Sequence, residues 1–163
     1  MSDSVVYRSK VCIERVEGPL RPAYLPAEQR PVLFGAHSEI AEHCRLDSEA
    51  FEPHAVTLNY FVAATAGSLT GTLGGAPEAR SIPAGEGRLT AETVGEIEEE
   101  DAVLIVRHIH VAHNLRVASH QRDAATRAHE NHIAHCPMAR PIRDCVEVTT
   151  SLEMESPWQA ARS

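Results

Sequence analysis

The segment PHAVTLNYFVAATAGSLTGTLGGAP, residues 53–77, contains no Asp, Glu, Lys or Arg. Its length invites a transmembrane reading, but Thr57, Asn59, Thr65, Ser68, Thr70, Thr72 and four glycines make it too polar for a lipid span. A helix that lacks a charged face is instead one that protein covers. Gly67, Gly71 and Gly75 recur at every fourth position and clear a smooth strip along one side. Each internal glycine costs about 1 kcal/mol relative to alanine, and close approach of another backbone is the usual compensation. The segment predicts a buried central helix, crossed by a second element along that strip.

The flanking sequence supplies a sheet. Val5 to Val16 alternates apolar and charged residues, the period of a half-buried strand, with Cys12 packed inside it. Pro19, Pro22, Pro26 and Pro31 then mark a segment unsuited to a central strand or a helix, which ends at the short strand PVLFG. SEIAEHCRLDSEAFEP, residues 38–53, reads as a loop with a helical turn. GRLTAETVGEIE and AVLIVRHIHVAHNLRV form a hairpin around the acidic tip Glu98–Asp101, which reads as a solvated turn. On its second strand Val103, Ile105, Ile109, Val111, Leu115 and Val117 share one face, interrupted by Arg107 and His113. Ser119 is the expected N-cap of a second helix running to His135, with Asp123 in its first turn and Pro137 ending it. CVEVTTSLEM reads as the last strand, and the tail 155–163 holds the only tryptophan. The expected architecture is α+β, antiparallel sheet packed on helices in a single domain over 1–163.

The formal charge of −8 argues against nucleic-acid or anionic-membrane partners, which need clustered Lys and Arg. The first ten residues lack the apolar core of a signal peptide, so a cytoplasmic protein is expected. Cys12, Cys44, Cys136 and Cys145 form no C-x-x-C pair, which argues against a disulfide scaffold or a zinc ribbon.

Three groups of residues are candidates for chemistry. His129, His132 and Cys136 fall at i, i+3 and i+7 on a helix and could offer two imidazoles and a thiolate to zinc, although the spacing matches no established zinc pattern. His108 and His110 alternate on one strand face and read as polar surface. AGSLTG around Ser68 lies mid-helix with its second glycine one residue late, a poor nucleophile elbow. Cys136 is the strongest candidate. If a helix starts at Pro137, Cys136 becomes its N-cap, where the positive end of the helix favours a thiolate, with Arg140 and Arg143 close in sequence. The competing reading is an inert buried cysteine.

NYFVAATAGSLTGTL followed by HCPMARPIRDCVEVTTSLEM resembles the OsmC/Ohr family, in which an Ala-rich buried helix precedes a C-P-x-x-R element and a final strand. The resemblance spans residues 31–154 and is weaker over 1–30. It implies an intertwined homodimer that reduces small organic hydroperoxides with thiols and needs no cofactor. In that family one cysteine attacks the peroxide, and a second resolves the sulfenic acid as a disulfide, which a dithiol then reduces. Cys136 matches the resolving cysteine. The attacking cysteine falls at Ser68, and its supporting carboxylate at Leu58 or Asn59. Arg15, Arg21 and Arg30 are candidates for the family's arginine. A hydroxyl cannot replace the attacking thiol, because it is not ionised near neutral pH and has no counterpart of the sulfenic acid. The resemblance therefore implies altered or reduced peroxidase activity, or a non-catalytic member holding a small hydrophobic ligand.

Overall fold

The computed structural model describes residues 4–79 and 81–157; Trp158 and the rest of the expected tail lie outside them. The chain divides into two compact units, Met1–Tyr60 and Phe61–Ser163.

The first unit holds a three-stranded antiparallel sheet in the order β1 (Cys12–Ile13), β2 (Arg21–Tyr24) and β3 (Val32–Phe34). It also holds a short helix α1 (Ser38–His43), where the sequence suggests only a turn. Ala36, Ala41 and Val56 form its core with Ile40, Phe51 and Leu58. Two expectations fail in the sheet. The alternating run from Val5 pairs only at Cys12 and Ile13, and Cys12 is exposed rather than packed. Alternation specifies a face only if something covers it, and here Val5, Tyr7, Val11 and Ile13 stay exposed. Pro22, by contrast, sits in the middle strand. Its carbonyl accepts from Glu14 N–H, so its own nitrogen also faces the two-residue β1. The missing donor falls on the side with the shortest ladder, and that makes it tolerable.

The second unit is built on α2 (Thr57–Ala79), whose first turn lies in the first unit. β4 (Leu89–Glu100) and β5 (Val103–Arg116) form the hairpin; a 3-10 turn at Ser119–Gln121 leads into α3 (Arg122–His135). A short α4 (Ala139–Ile142) and β6 (Glu147–Glu155) complete the unit. Ser119 therefore opens the 3-10 turn, and α3 starts three residues later, without a side-chain cap. The sheet order is β4-β5-β6, with β6 parallel to β5 rather than antiparallel. The connection between them contains α3, and a helical crossover returns the chain in the same direction. Asp101 and Ala102 turn the hairpin with φ of 51° and 64°, the left-handed pair of a two-residue turn whose twist matches the strands. The acidic run is thus mainly strand, and Arg107 pairs with both Glu98 and Glu100 across the ladder.

The hairpin contains a bulge. Glu96 pairs with His108 and Ile97 with Val106, so Arg107 has no partner on β4. The extra residue reverses the faces beyond it. Val106, not Ile105, packs against the core, and Val103 is exposed.

One face of α2, through Val62, Ala66 and Leu69, meets Ile109 and Val111 of β5 and Cys136, Ala139 and Val146. A second cluster joins Ile82, Ala84, Leu115, Val117 and Ala125. The expected crossing at the glycine strip is absent: a Cβ at Gly67, Gly71 or Gly75 would meet no atom of the described residues within 4 Å. Close approach occurs instead at Gly95 of β4, where a Cβ would collide with Val62 Cγ2. Within this unit the described residues cover one side of the helix and leave the strip at Gly67, Gly71 and Gly75 exposed.

Candidate functional site

The core of the second unit brings Cys136 and Ser68 together. Ser68 lies mid-way along α2, two turns before Gly75. Cys136 follows the last residue of α3 in extended backbone (φ −76°, ψ 121°), because the residue before proline avoids the helical region. Its side chain is fully buried. The Cys136 thiol donates to Ser68 Oγ at 3.3 Å, and the Ala139 N–H donates to Cys136 Sγ at 3.4 Å. The Cys136 carbonyl accepts from Arg140 N–H at 3.0 Å. Cys136 thus caps the short turn of C-P-M-A-R through both its sulfur and its carbonyl. Its hydrogen is given to an oxygen, its sulfur receives an amide, and apolar side chains surround it.

The other residues matched to the family motif lie elsewhere in the chain. Asn59 belongs to the first unit, where its Oδ1 accepts from the Val56 N–H at 2.9 Å and lies 3.0 Å from His37 Nε2. Reaching back from the third helical position to the residue before the helix is half of a capping box. Leu58 packs in the same unit's small core. Arg15, Arg21 and Arg30 also belong to that unit; Arg21 lies on β2. Cys44 and Cys145 are exposed.

His129 and His132 do come together, but their companion is His113 of β5 rather than Cys136. One ring nitrogen of each lies within 4.8 Å of the others. The His129 and His132 rings stack at 4.9 Å between centroids, and His113 meets His132 edge-on at 5.3 Å. Burial pushes His113 down to about 4, and the neighbouring imidazoles push the same way. Burial also lowers His129 and His132. Sequence reasoning missed His113 as a functional candidate, although it interrupts an otherwise apolar strand face. His108 and His110 form a polar patch as expected, both within 2.8 Å of Thr149 Oγ1.

The sequence matches no family model and no curated protein. Solved structures nevertheless share its architecture along nearly their whole length. An OsmC-like protein from Mycoplasma pneumoniae superimposes with a TM-score of 0.71 at 10% identity, over 92% of this chain and 99% of that one. An OsmC-like protein of unknown function from Vibrio cholerae gives 0.67 at 13% identity, over 91% and 100%. The organic hydroperoxide resistance protein OhrB of Bacillus subtilis gives 0.65 at 14% identity, over 91% and 100%. The buried helix, the long hairpin and the turn at Cys136–Pro137 thus form the fold shared by OsmC-like and organic hydroperoxide resistance proteins.

Proposed function

We propose that this chain is a divergent member of the OsmC/Ohr family whose thiol chemistry rests on Cys136 alone. The 3.3 Å separation of Cys136 Sγ and Ser68 Oγ carries the reading. It is the separation expected of a thiol pair in which one member has become a hydroxyl. The substrate is a small organic hydroperoxide. Cys136 sulfur attacks one peroxide oxygen, the O–O bond breaks, and the alcohol departs with a proton. The sulfur is left as a sulfenic acid, one step up the oxidation ladder. Ser68 cannot resolve it, so an external dithiol attacks the sulfur, water leaves, and the dithiol ends as a disulfide. Complete burial of Cys136 and its hydrogen bond to a hydroxyl make this a slow reaction.

The assembly is a homodimer in this reading. The strip at Ala63, Gly67, Gly71 and Gly75 is exposed and uncharged, and β4 exposes Val94 and Ile97. Apolar surface of this kind on a helix and a long strand suits a second copy of the chain. No helix among the described residues is long and apolar enough to cross a membrane.

The test is consumption of tert-butyl hydroperoxide by purified protein with dihydrolipoamide as reductant. Slow turnover that Cys136→Ser abolishes supports the assignment. A rate equal to the protein-free blank assigns the chain to the silent branch, a scaffold holding a hydrophobic ligand without peroxide chemistry.

A further inference from the structure

The histidine cluster is separate from the thiol pair and has a property that the pair lacks. Buried polar atoms are nearly always hydrogen-bonded, and each exception needs a cause. His113 Nδ1, His129 Nε2 and His132 Nε2 are all buried and make no hydrogen bond of ordinary geometry among the described residues, although the Ser151 backbone interacts with the rings of His113 and His129. Three such nitrogens sit on three rings in mutual contact.

The outer hydrogen bonds assign the protons on two of the rings. Thr70 donates its only hydroxyl hydrogen to the Ala66 carbonyl at 2.8 Å. His113 Nε2 lies 3.4 Å from Thr70 Oγ1, whose hydrogen is already committed, so Nε2 is placed to donate in that contact. A neutral ring with its proton on Nε2 leaves Nδ1 as a bare lone pair. On the neighbouring ring, His132 Nδ1 donates to the His129 carbonyl, which leaves Nε2 as the lone pair. Both rings thus present an unprotonated nitrogen while the opposite nitrogen is held by an oxygen acceptor. That is how protein-bound imidazoles are oriented toward metals.

We infer that His113 Nδ1, His129 Nε2 and His132 Nε2 form a binding site for one borderline divalent cation, zinc being the first choice. Three neutral imidazoles suit such an ion, whereas calcium and magnesium take oxygen ligands. Three histidines leave a fourth position for water. Zinc–nitrogen bonds of about 2.0–2.1 Å place tetrahedral ligands roughly 3.4 Å apart. The present separations, up to 4.8 Å, must therefore contract. His113 and His132 are fully buried and held by their outer bonds, while His129 is half-buried, so rotation of His129 closes the site. His132 also lines a cavity of about 270 Å³ with Thr72, Ala76, Ala128, Asn131 and His135.

The experiment uses full-length protein without an affinity tag, stripped with a chelator and titrated with Zn2+ and, separately, Co2+. The expected result is one equivalent per chain, a rise in Tm with zinc, and the visible absorption of four- or five-coordinate cobalt. His129→Gln, at the half-buried position, should lose stoichiometric binding while far-ultraviolet circular dichroism stays native. His113→Gln and His132→Gln should behave alike if they fold, and His120→Gln, on the exposed 3-10 turn, should bind normally. Absence of a stoichiometric equivalent would overturn the inference. So would binding that survives His129→Gln, or a thiolate-to-cobalt band that Cys136→Ser removes. None of these readouts depends on hydroperoxide turnover, so this inference and the thiol assignment stand or fall apart.

Discussion

The Ser68–Cys136 pair and the His113–His129–His132 cluster lie in the same unit, and both draw on α3 and its C-terminal end. They treat buried polarity in opposite ways. Around Cys136 the thiol has an acceptor, the sulfur has an amide donor, and packing is apolar. Around the histidines two outer nitrogens are bonded, and the three inward ones have no hydrogen bond of ordinary geometry among the described residues. A satisfied polar pair is stable as it stands and reacts slowly. An unsatisfied one loses roughly 1–3 kcal/mol of solvation for each group and awaits a partner. The contrast sets a pair whose polar atoms are matched within the fold beside a cluster whose inward nitrogens are not.

Introducing a second sulfur breaks the contrast most sharply. Ser68→Cys places two sulfurs about where Sγ and Oγ now stand 3.3 Å apart, and a disulfide needs them near 2.0 Å. Hydroperoxide turnover with dihydrolipoamide should rise on the order of 100-fold over wild type. Asn59→Asp should add to it if the family's carboxylate acts from that position. An unchanged rate in Ser68→Cys would mean that the pair is a packing contact and nothing else.

Acid should act on the other site. His113 is held down to about 4, against 6.5 in an unfolded chain. Between those values the unfolded state binds the extra proton, so metal-stripped protein loses stability as pH falls from 6.5 toward 4 and is unaffected above about 7. The loss from His113 is roughly 3 kcal/mol, with His129 and His132 shifted in the same direction. Urea unfolding across this range should show the slope, and His113→Gln should flatten it. A wild-type curve as flat as the variant's would show that the cluster is open to water.

Truncating the thiol gives a smaller effect. Cys136→Ala removes a buried sulfur and the hydrogen bond to Ser68, which should cost about 1–2 kcal/mol in urea unfolding. A loss above that range would mean that the sulfur's bond to Ala139 N–H organises the whole C-P turn. Smallest is Thr70→Val, which deprives His113 Nε2 of its acceptor and should cost about 1 kcal/mol. The same variant frees the proton to move to Nδ1, so zinc affinity should fall about 10-fold or more. Unchanged affinity would place the ligating nitrogen of His113 at Nε2 instead.

How much of this was legible in the sequence differs between the two sites. Cys136 was marked by a local signal, because proline after cysteine constrains backbone and cap together. Ser68 followed from the resemblance of two segments. The histidine cluster needs a strand and a helix to meet, and only the pair on α3 was visible as a spacing. His113 was seen as a flaw in an apolar strand face, which is how a strand's contribution to a buried polar site looks before the helix is placed. The charge-free segment is a helix as its composition implies, but the described residues cover only one side of it, and no helix or strand crosses its glycine strip among them. Composition reveals that a surface is apolar or smooth, and it does not reveal whether another element of the same chain lies against it. The parallel return of β6 and the reversal at Arg107 were missed because both depend on pairing partners, and pairing is not written along one strand.

The unpaired Arg107 gives the hairpin two phases. From His108 inward β5 has neighbours on both edges, and beyond it the outer third is a two-stranded ribbon. Inserting one residue between Glu96 and Ile97, as a partner for Arg107, would restore unbroken alternation and rotate the ribbon by half a turn. Val103 and Ile105 would then swing to the side that Val106 now occupies. The orientation of the whole tip is therefore set by one inserted amino acid at its base, and the residues of the tip follow it.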